Sequence, residues 1–295
     1  QVKRKVASPR WTIAMEALSG ALPRVDHLAG RTEGMLRLRD DSLDLSPQET
    51  IGVANLPDQF VRDAEYDFNI MVLGEPGVGK KTLIETLLGV PLDEFPPCQA
   101  PASAGPQVHD YRAVVQEGTV TCKVGIAVGK DIGSQLDKSG LGKVVIGTLQ
   151  RRFEAYLEAE MTTVRTPHRE DTRIHACIYM LSPTGRGVKA SDLHVMKAIH
   201  SKVNLIPVVA RADGLTSLEL ASFKKILQAA LKDHGVTTYT PADPDVQSAY
   251  KVVWPLATVA SRDFIAIAGR SVRVRRYPWG LVEVENPQYS QGLHA

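Results

Sequence analysis

The sequence predicts an α/β protein whose three-layer core is a mostly parallel sheet with helices packed on both faces. Two observations carry this. A largely apolar run, Phe68-Asn69-Ile70-Met71-Val72-Leu73, leads into a glycine-rich stretch and then into a segment of helical spacing, the order of a buried strand, a tight loop and a covering helix. Over the rest of the chain, apolar runs of strand length alternate with amphipathic segments, as parallel strands joined by crossover helices require.

The elements follow in order. Residues 68–73 read as a buried strand and residues 82–88 as a helix that Gly89 stops. Residues 91–106, dense in proline and alanine, read as an irregular loop, and residues 120–127 as a strand. Val145, Ile146, Leu149, Phe153 and Leu157 form a helical stripe, and residues 174–181 are almost wholly apolar, as a doubly covered strand must be. A helix is expected from Ser191, with Ser191 and Asp192 capping it, to Ser201, and a further strand over 203–210. Thr216-Ser217-Leu218-Glu219 is a capping box. It opens a helix whose apolar face is Phe223, Ile226, Leu227, Ala230 and Leu231 and which Gly235 ends. Residues 1–66 lack periodicity and carry scattered Lys3, Arg4, Lys5 and Arg10, so they read as an arm or flanking segment outside the core.

Gly74-Glu75-Pro76-Gly77-Val78-Gly79-Lys80-Lys81-Thr82 is the most informative stretch. It matches a phosphate-binding loop, G-x-x-x-x-G-K-[S/T], with one substitution. The glycines let backbone N–H groups close around phosphate oxygens, the lysine reaches the β- and γ-phosphates, and a hydroxyl meets Mg²⁺. Here Lys81 takes the hydroxyl position and Thr82 follows one place late. The flanking strand and helix set the helix N-terminus under the phosphates. The fold class is therefore that of P-loop NTPases, with the ligand at the carboxyl ends of the strands.

Composition narrows the function classes. With 295 residues, 23% charged and 43% hydrophobic, the chain can bury a full core. A net charge of +2 gives no reason to invoke nucleic acid. Three cysteines, Cys98, Cys122 and Cys177, are far apart and odd in number, which fits a reducing, cytoplasmic setting better than a disulfide framework. No apolar run reaches the length of a membrane span, and no signal-peptide core is present at the N-terminus. The chain begins at Gln1 rather than methionine, so sequence upstream of it is expected. His194 and His200 lie six apart on one expected helix and share no face, so no metal set is proposed from them.

Four further segments point to a family: Gly52-Val53-Ala54-Asn55-Leu56-Pro57, Ser182-Pro183-Thr184-Gly185, Ala210-Arg211-Ala212-Asp213, and Tyr277-Pro278-Trp279-Gly280-Leu281-Val282-Glu283-Val284-Glu285-Asn286. With the phosphate loop they resemble septins from about Gly52 to Asn286, interrupted around 91–106, and the last block resembles the septin unique element. The resemblance implies a guanine-nucleotide-binding (GTP or GDP) cytoskeletal protein that polymerises through alternating interfaces, one containing the nucleotide. Its partners would be itself or other septins. It divides the chain into a flanking segment (1–66), a nucleotide-binding domain (67–268) and the unique element as a C-terminal hairpin (269–295). It also implies a final helix and coiled coil after the unique element. The sequence stops at Ala295, so the interface built from the termini is expected to be incomplete while the nucleotide-side interface remains.

Carried over by position, the resemblance assigns Gly74, Glu75, Pro76, Gly77, Val78 and Gly79 to the phosphates, Lys80 to the β/γ oxygens and Thr82 to the α-phosphate. Asp213 would accept from guanine N1 and N2, Arg211 would cover the base plane in place of the usual lysine, and Arg275 would stack on guanine. Ala260 stands where septins place a glycine beside the ring. Trp279 matches the nucleotide-side interface tryptophan; a core or hairpin aromatic is the alternative.

Several positions depart from the pattern. The D-T-P-G segment falls on Val128-Gly129-Lys130-Asp131, so the magnesium-linked aspartate is Val128, with Asp131 three residues on. The switch threonine falls near Gly105, with Ser103 close by. Lys81 and Val128 together place Mg²⁺ in question and suggest metal-independent binding, with the Lys81 ammonium offsetting phosphate charge; a solvent-facing Lys81 in a decayed site is the competing reading. Arg186 stands where most septins carry histidine, facing the nucleotide across the dimer. It resembles an arginine finger in trans; a solvated or interface-pairing arginine is the alternative. The expectation is weak or absent GTP hydrolysis, against an active GTPase using Arg186 or a nucleotide-free scaffold. Arg270, Arg273, Arg275 and Arg276 form a basic cluster that suits phosphoinositides or lines the nucleotide interface. The acidic stretch 61–67 argues against the membrane contact that septins make just before the phosphate loop.

Overall fold

The computed structural model describes residues 65–89, 91–92, 107–117, 120–130, 139–162, 170–183, 187–267, 270–286 and 290. The expected N-terminal arm, Ser103, Gly105, Asp131 and Arg186 lie outside the described residues. The elements are β1 (Glu65–Gly74), α1 (Lys80–Leu88), β2 (Gln107–Glu117), β3 (Val120–Lys130), α2 (Ser139–Met161), β4 (Ala176–Leu181), α3 (Ala190–Ile199), β5 (Asn204–Ala210), α4 (Ser217–Asp233), α5 (Pro244–Val253), β6 (Leu256–Thr258), β7 (Phe264–Ile267), β8 (Arg270–Tyr277) and β9 (Gly280–Glu283). A single 3-10 turn, Ala212–Gly214, follows β5.

The main sheet has the order β2-β3-β1-β4-β5-β6. Only β2 runs antiparallel, against β3; every other pairing is parallel. The expected three-layer, mostly parallel α/β fold is thus the fold found. Alternation along each central strand builds the layers. Met71 and Leu73 of β1, Cys177 and Tyr179 of β4, and Leu205 and Val209 of β5 share one core with Leu149 of α2, Met196 of α3 and Leu227 of α4. Ile70 and Val72, Ile178 and Met180, and Ile206 and Val208 share the other with Leu83, Ile84 and Leu88 of α1. Burial pushes the Cys122 thiol up to about 11 and the Cys177 thiol higher still, so neither is a nucleophile at neutral pH.

β7, β8 and β9 form a second, antiparallel sheet, in which β8 and β9 make the expected C-terminal hairpin around Pro278 and Trp279. Val284 at its end is buried in the main core and ties the hairpin to the sheet.

Three expectations need correction. Ser191 and Asp192 do not cap α3: Lys189 is its N-cap, with extended backbone, and Ser191 and Asp192 are buried in the first turn. A residue already helical cannot reach back over the exposed amides, and Asp192 instead accepts the Tyr179 hydroxyl at 2.9 Å. Leu157 is 58% exposed, because the 23-residue α2 outruns the layer it covers. Ile226 is half exposed at the margin of the α4 face.

At the amino end of β1 and β4, opposite the glycine loop, lies a polar knot. Asn69 donates to the Asp171 and Arg173 carbonyls at 2.5 and 2.9 Å, and its N–H donates to His175 Nδ1 at 2.9 Å. Partial burial raises the Asp171 carboxyl, but hydrogen bonds from His175 and Arg173 outweigh it and hold the group well below the usual carboxylate range.

Candidate functional site

The strand order reverses around β1, whose carboxyl end carries the glycine loop, the place where open α/β sheets bind ligands. Gly74, Gly77 and Gly79 all have positive φ, at 139°, 76° and 103°. Gly74 is doubly constrained: a Cβ there would collide with the Met180 carbonyl oxygen of β4. Gly79 is the N-cap of α1 and makes no side-chain cap hydrogen bond, so no side chain of its own competes with an anion at the helix N-terminus.

Lys80 is buried, its ammonium donating to the Gly74 and Glu75 carbonyls at 2.8 and 2.7 Å. Glu75 pairs through its carboxylate with Lys189 at 2.5 Å, so a second ammonium, from the start of α3, reaches the loop. Lys81 is exposed and does not line the cleft; Thr82 does.

The cleft beside the loop has a volume of about 430 Å³. Its floor is Gly77, Val78, Gly79 and Thr82, with Met180 behind; Thr258, Ala260, Ser261, Arg262 and Asp263 form one wall, and Arg211, Arg275 and Arg276 close the rest. Arg211 adopts a left-handed conformation (φ 52°) that sends its guanidinium back to the Gly77 carbonyl, bridging β5 and the loop.

Asp213 has a fully buried side chain outside the cleft lining. It accepts the Tyr277 hydroxyl at 2.5 Å and Arg275 Nη1 at 3.4 Å. Burial, then the bond to Asp213 and its charge, raise the Tyr277 hydroxyl. Trp279, 80% exposed at the hairpin turn, stacks on Tyr277 with centroids 4.6 Å apart and planes 13° from parallel. That exposure rules out the core alternative for Trp279.

Val128 is buried in β3 against the α1-side core, level with Val72 and His109. A P-loop Mg²⁺ site takes a loop hydroxyl and a strand-end carboxylate, and Lys81 and Val128 supply neither. Among the described residues no group of three or more His, Cys, Asp or Glu could hold a metal ion.

The chain has counterparts among known proteins. A sequence model of the septin family matches residues 64–294. The chain belongs to the septin family. It is 36% identical over 264 residues to Septin-10 of Pongo abelii, covering 86% of this chain and 56% of that one. It is 37% identical over 247 residues to Septin-2 of Drosophila melanogaster, covering 80% and 58%. The chain thus spans less than two thirds of the length of these septins. The crystal structure of a septin GTPase domain from Chlamydomonas reinhardtii superposes with a TM-score of 0.59 at 21% identity, covering 78% of this chain and 89% of that one, which supports the fold.

Sequence reasoning found the glycine loop, Lys80, Thr82, Arg211, Ala260 and Arg275 near one cleft. It missed Lys189, Tyr277, Glu85 and Arg262. Tyr277 had a signal, standing two residues before Trp279 where β8 meets the hairpin turn.

Proposed function

We propose that this septin chain binds guanine nucleotide in the glycine-loop cleft and uses it as interface material. In this reading it assembles with copies of itself or other septins in a cytoplasmic, cytoskeletal setting and hydrolyses GTP weakly or not at all. The observation that carries the reading is the left-handed glycine loop feeding an uncapped helix N-terminus, next to a cleft that holds Ala260 and Arg275 at its base end. Residues 67–268 act as the nucleotide unit, residues 269–295 as the unique element and residues 1–66 as a flanking segment.

Lys80 turns from the loop carbonyls to the β/γ oxygens, and Lys189, already drawn to Glu75, adds a second positive charge beside them. Asp213 exchanges Tyr277 and Arg275 for guanine N1 and N2, which frees Arg275 to stack on the base. Weak turnover follows from Val128, since nothing at that position draws a metal to the γ-phosphate, and the lysine charges suit retention without metal. The arginine-finger reading of Arg186 stands as the competing proposal.

The test is the nucleotide content of freshly purified protein, released by denaturation and separated by chromatography, with and without a chelator wash. GDP or GTP retained through the wash is the expected outcome. An empty protein whose melting temperature ignores added guanine nucleotide would overturn the reading.

A further inference from the structure

The wall of the cleft that follows β6 hangs from a slight support. β6 is three residues long, pairs only with β5 and forms the edge of the sheet, so the chain beyond it gains little order from the ladder itself. Yet Thr258, Ala260, Ser261, Arg262 and Asp263 all face the cleft. Something else must hold them in register.

That support comes from α1. Glu85, 5% exposed and outside the cleft lining, turns its carboxylate toward this wall. Its Oε1 accepts from Arg262 Nη2 at 2.7 Å and from the Leu92 N–H at 3.1 Å, and its Oε2 accepts from Arg262 Nε. The next residue, Thr86, donates its hydroxyl to the Thr82 carbonyl of its own helix at 2.7 Å and lies 3.4 Å from the Ser261 carbonyl, so it touches the wall without holding it as the ion pair does. From the other side the Val274 N–H of β8 donates to the Asp263 carbonyl at 2.9 Å. A planar guanidinium forked onto a carboxylate fixes orientation as well as distance, and the buried carboxylate makes the pair costly to break from one side.

We propose that Glu85 is a positioning residue that sets nucleotide affinity through Arg262. α1 begins at the phosphate loop and runs to Leu88, so one rigid helix carries the phosphate-binding amides at its start and grips the opposite wall through Glu85 in its second turn. The ion pair fixes the separation between the phosphate-binding floor and the base-side wall. The proposal rests on the nucleotide reading above, and it adds that affinity depends on a residue that never touches the ligand.

The experiment titrates the full chain with a fluorescent guanine nucleotide, using the parent protein, E85Q, R262Q and the double variant, with melting curves of each in the empty form. E85Q and R262Q are each expected to weaken binding by a few-fold to roughly 30-fold. The double variant should bind no more weakly than the weaker single, because both changes break one contact. E85Q binding like the parent, or full additivity in the double variant, would overturn the proposal, as would lower melting temperatures with unchanged affinity. Should E85Q not fold, R262K decides. It keeps the charge but loses the fork, so it should bind as weakly as R262Q; parent-like affinity in R262K would mean that charge facing the ligand is all that counts, and would sink the idea. No binding by the parent chain would overturn the nucleotide reading and this proposal together.

Discussion

Asp213 keeps its side chain fully buried, and two residues of one hairpin strand hydrogen-bond to it. Removing one of them separates stability from binding. Tyr277→Phe leaves the carboxylate with Arg275 alone, which costs on the order of 1–3 kcal/mol for a buried acceptor losing a partner. If Asp213 receives guanine as proposed, the same change removes a competitor for it. The expected outcome is a lower melting temperature of the empty protein with guanine affinity equal to or tighter than the parent's; weaker binding would mean that Tyr277 assists the ligand. Asp171 predicts a pH dependence. Its folded pKa lies below the ordinary value, so its ionised form stabilises the fold above about pH 4, and that contribution fades as pH falls below it. Denaturant titrations should find Asp171→Asn less stable than the parent at pH 7, with the gap narrowing in acid.

Elements differ in how plainly the sequence announces them. β4 and β5 are legible because both faces are buried and every position but Asn204, at the start of β5, is apolar. α4 is legible from its capping box, with Thr216 accepting from the Glu219 N–H and Glu219 accepting in return from the Thr216 N–H. Thr216→Ala should lower stability by about 1 kcal/mol in chemical denaturation. β6 is too short to show a period, whereas α5, opening after Asp243-Pro244, carries Val246, Ala249, Tyr250 and Val253 at helical spacing, a signal that was present and missed. At the site, the glycine loop was readable since its requirement is local backbone geometry. The pairs that finish the site were not: Glu75–Lys189, Tyr277–Asp213 and Arg262–Glu85 lie 114, 64 and 177 residues apart, and charge pairing at such separations leaves no local pattern.

For the whole molecule, the two cores meet across a sheet whose carboxyl edge gathers Lys80, Lys189, Arg211, Arg262, Arg275 and Arg276 around one cleft or its loop. Such a ring of cations suits a polyanionic ligand and raises the association rate at low salt. If assembly rather than turnover is the purpose, steady-state phosphate release should stay at background as protein concentration rises, and Arg186→Ala should leave it there. Turnover that climbs with concentration and vanishes in that variant would restore the arginine-finger reading.

The stack of Trp279 on Tyr277 also gives the protein an optical reporter. The sequence has three tryptophans, Trp11, Trp254 and Trp279; Trp254 is half-buried, and Trp279 stands 80% in water at the hairpin tip. Its indole rests on the ring whose hydroxyl holds Asp213. Filling the cleft should disturb that stack and alter emission intensity, whereas covering the hairpin with a second subunit should shift emission to the blue. Ligand binding and self-association would then be separable in one cuvette, by intensity and by colour, with Trp279→Phe silencing both signals.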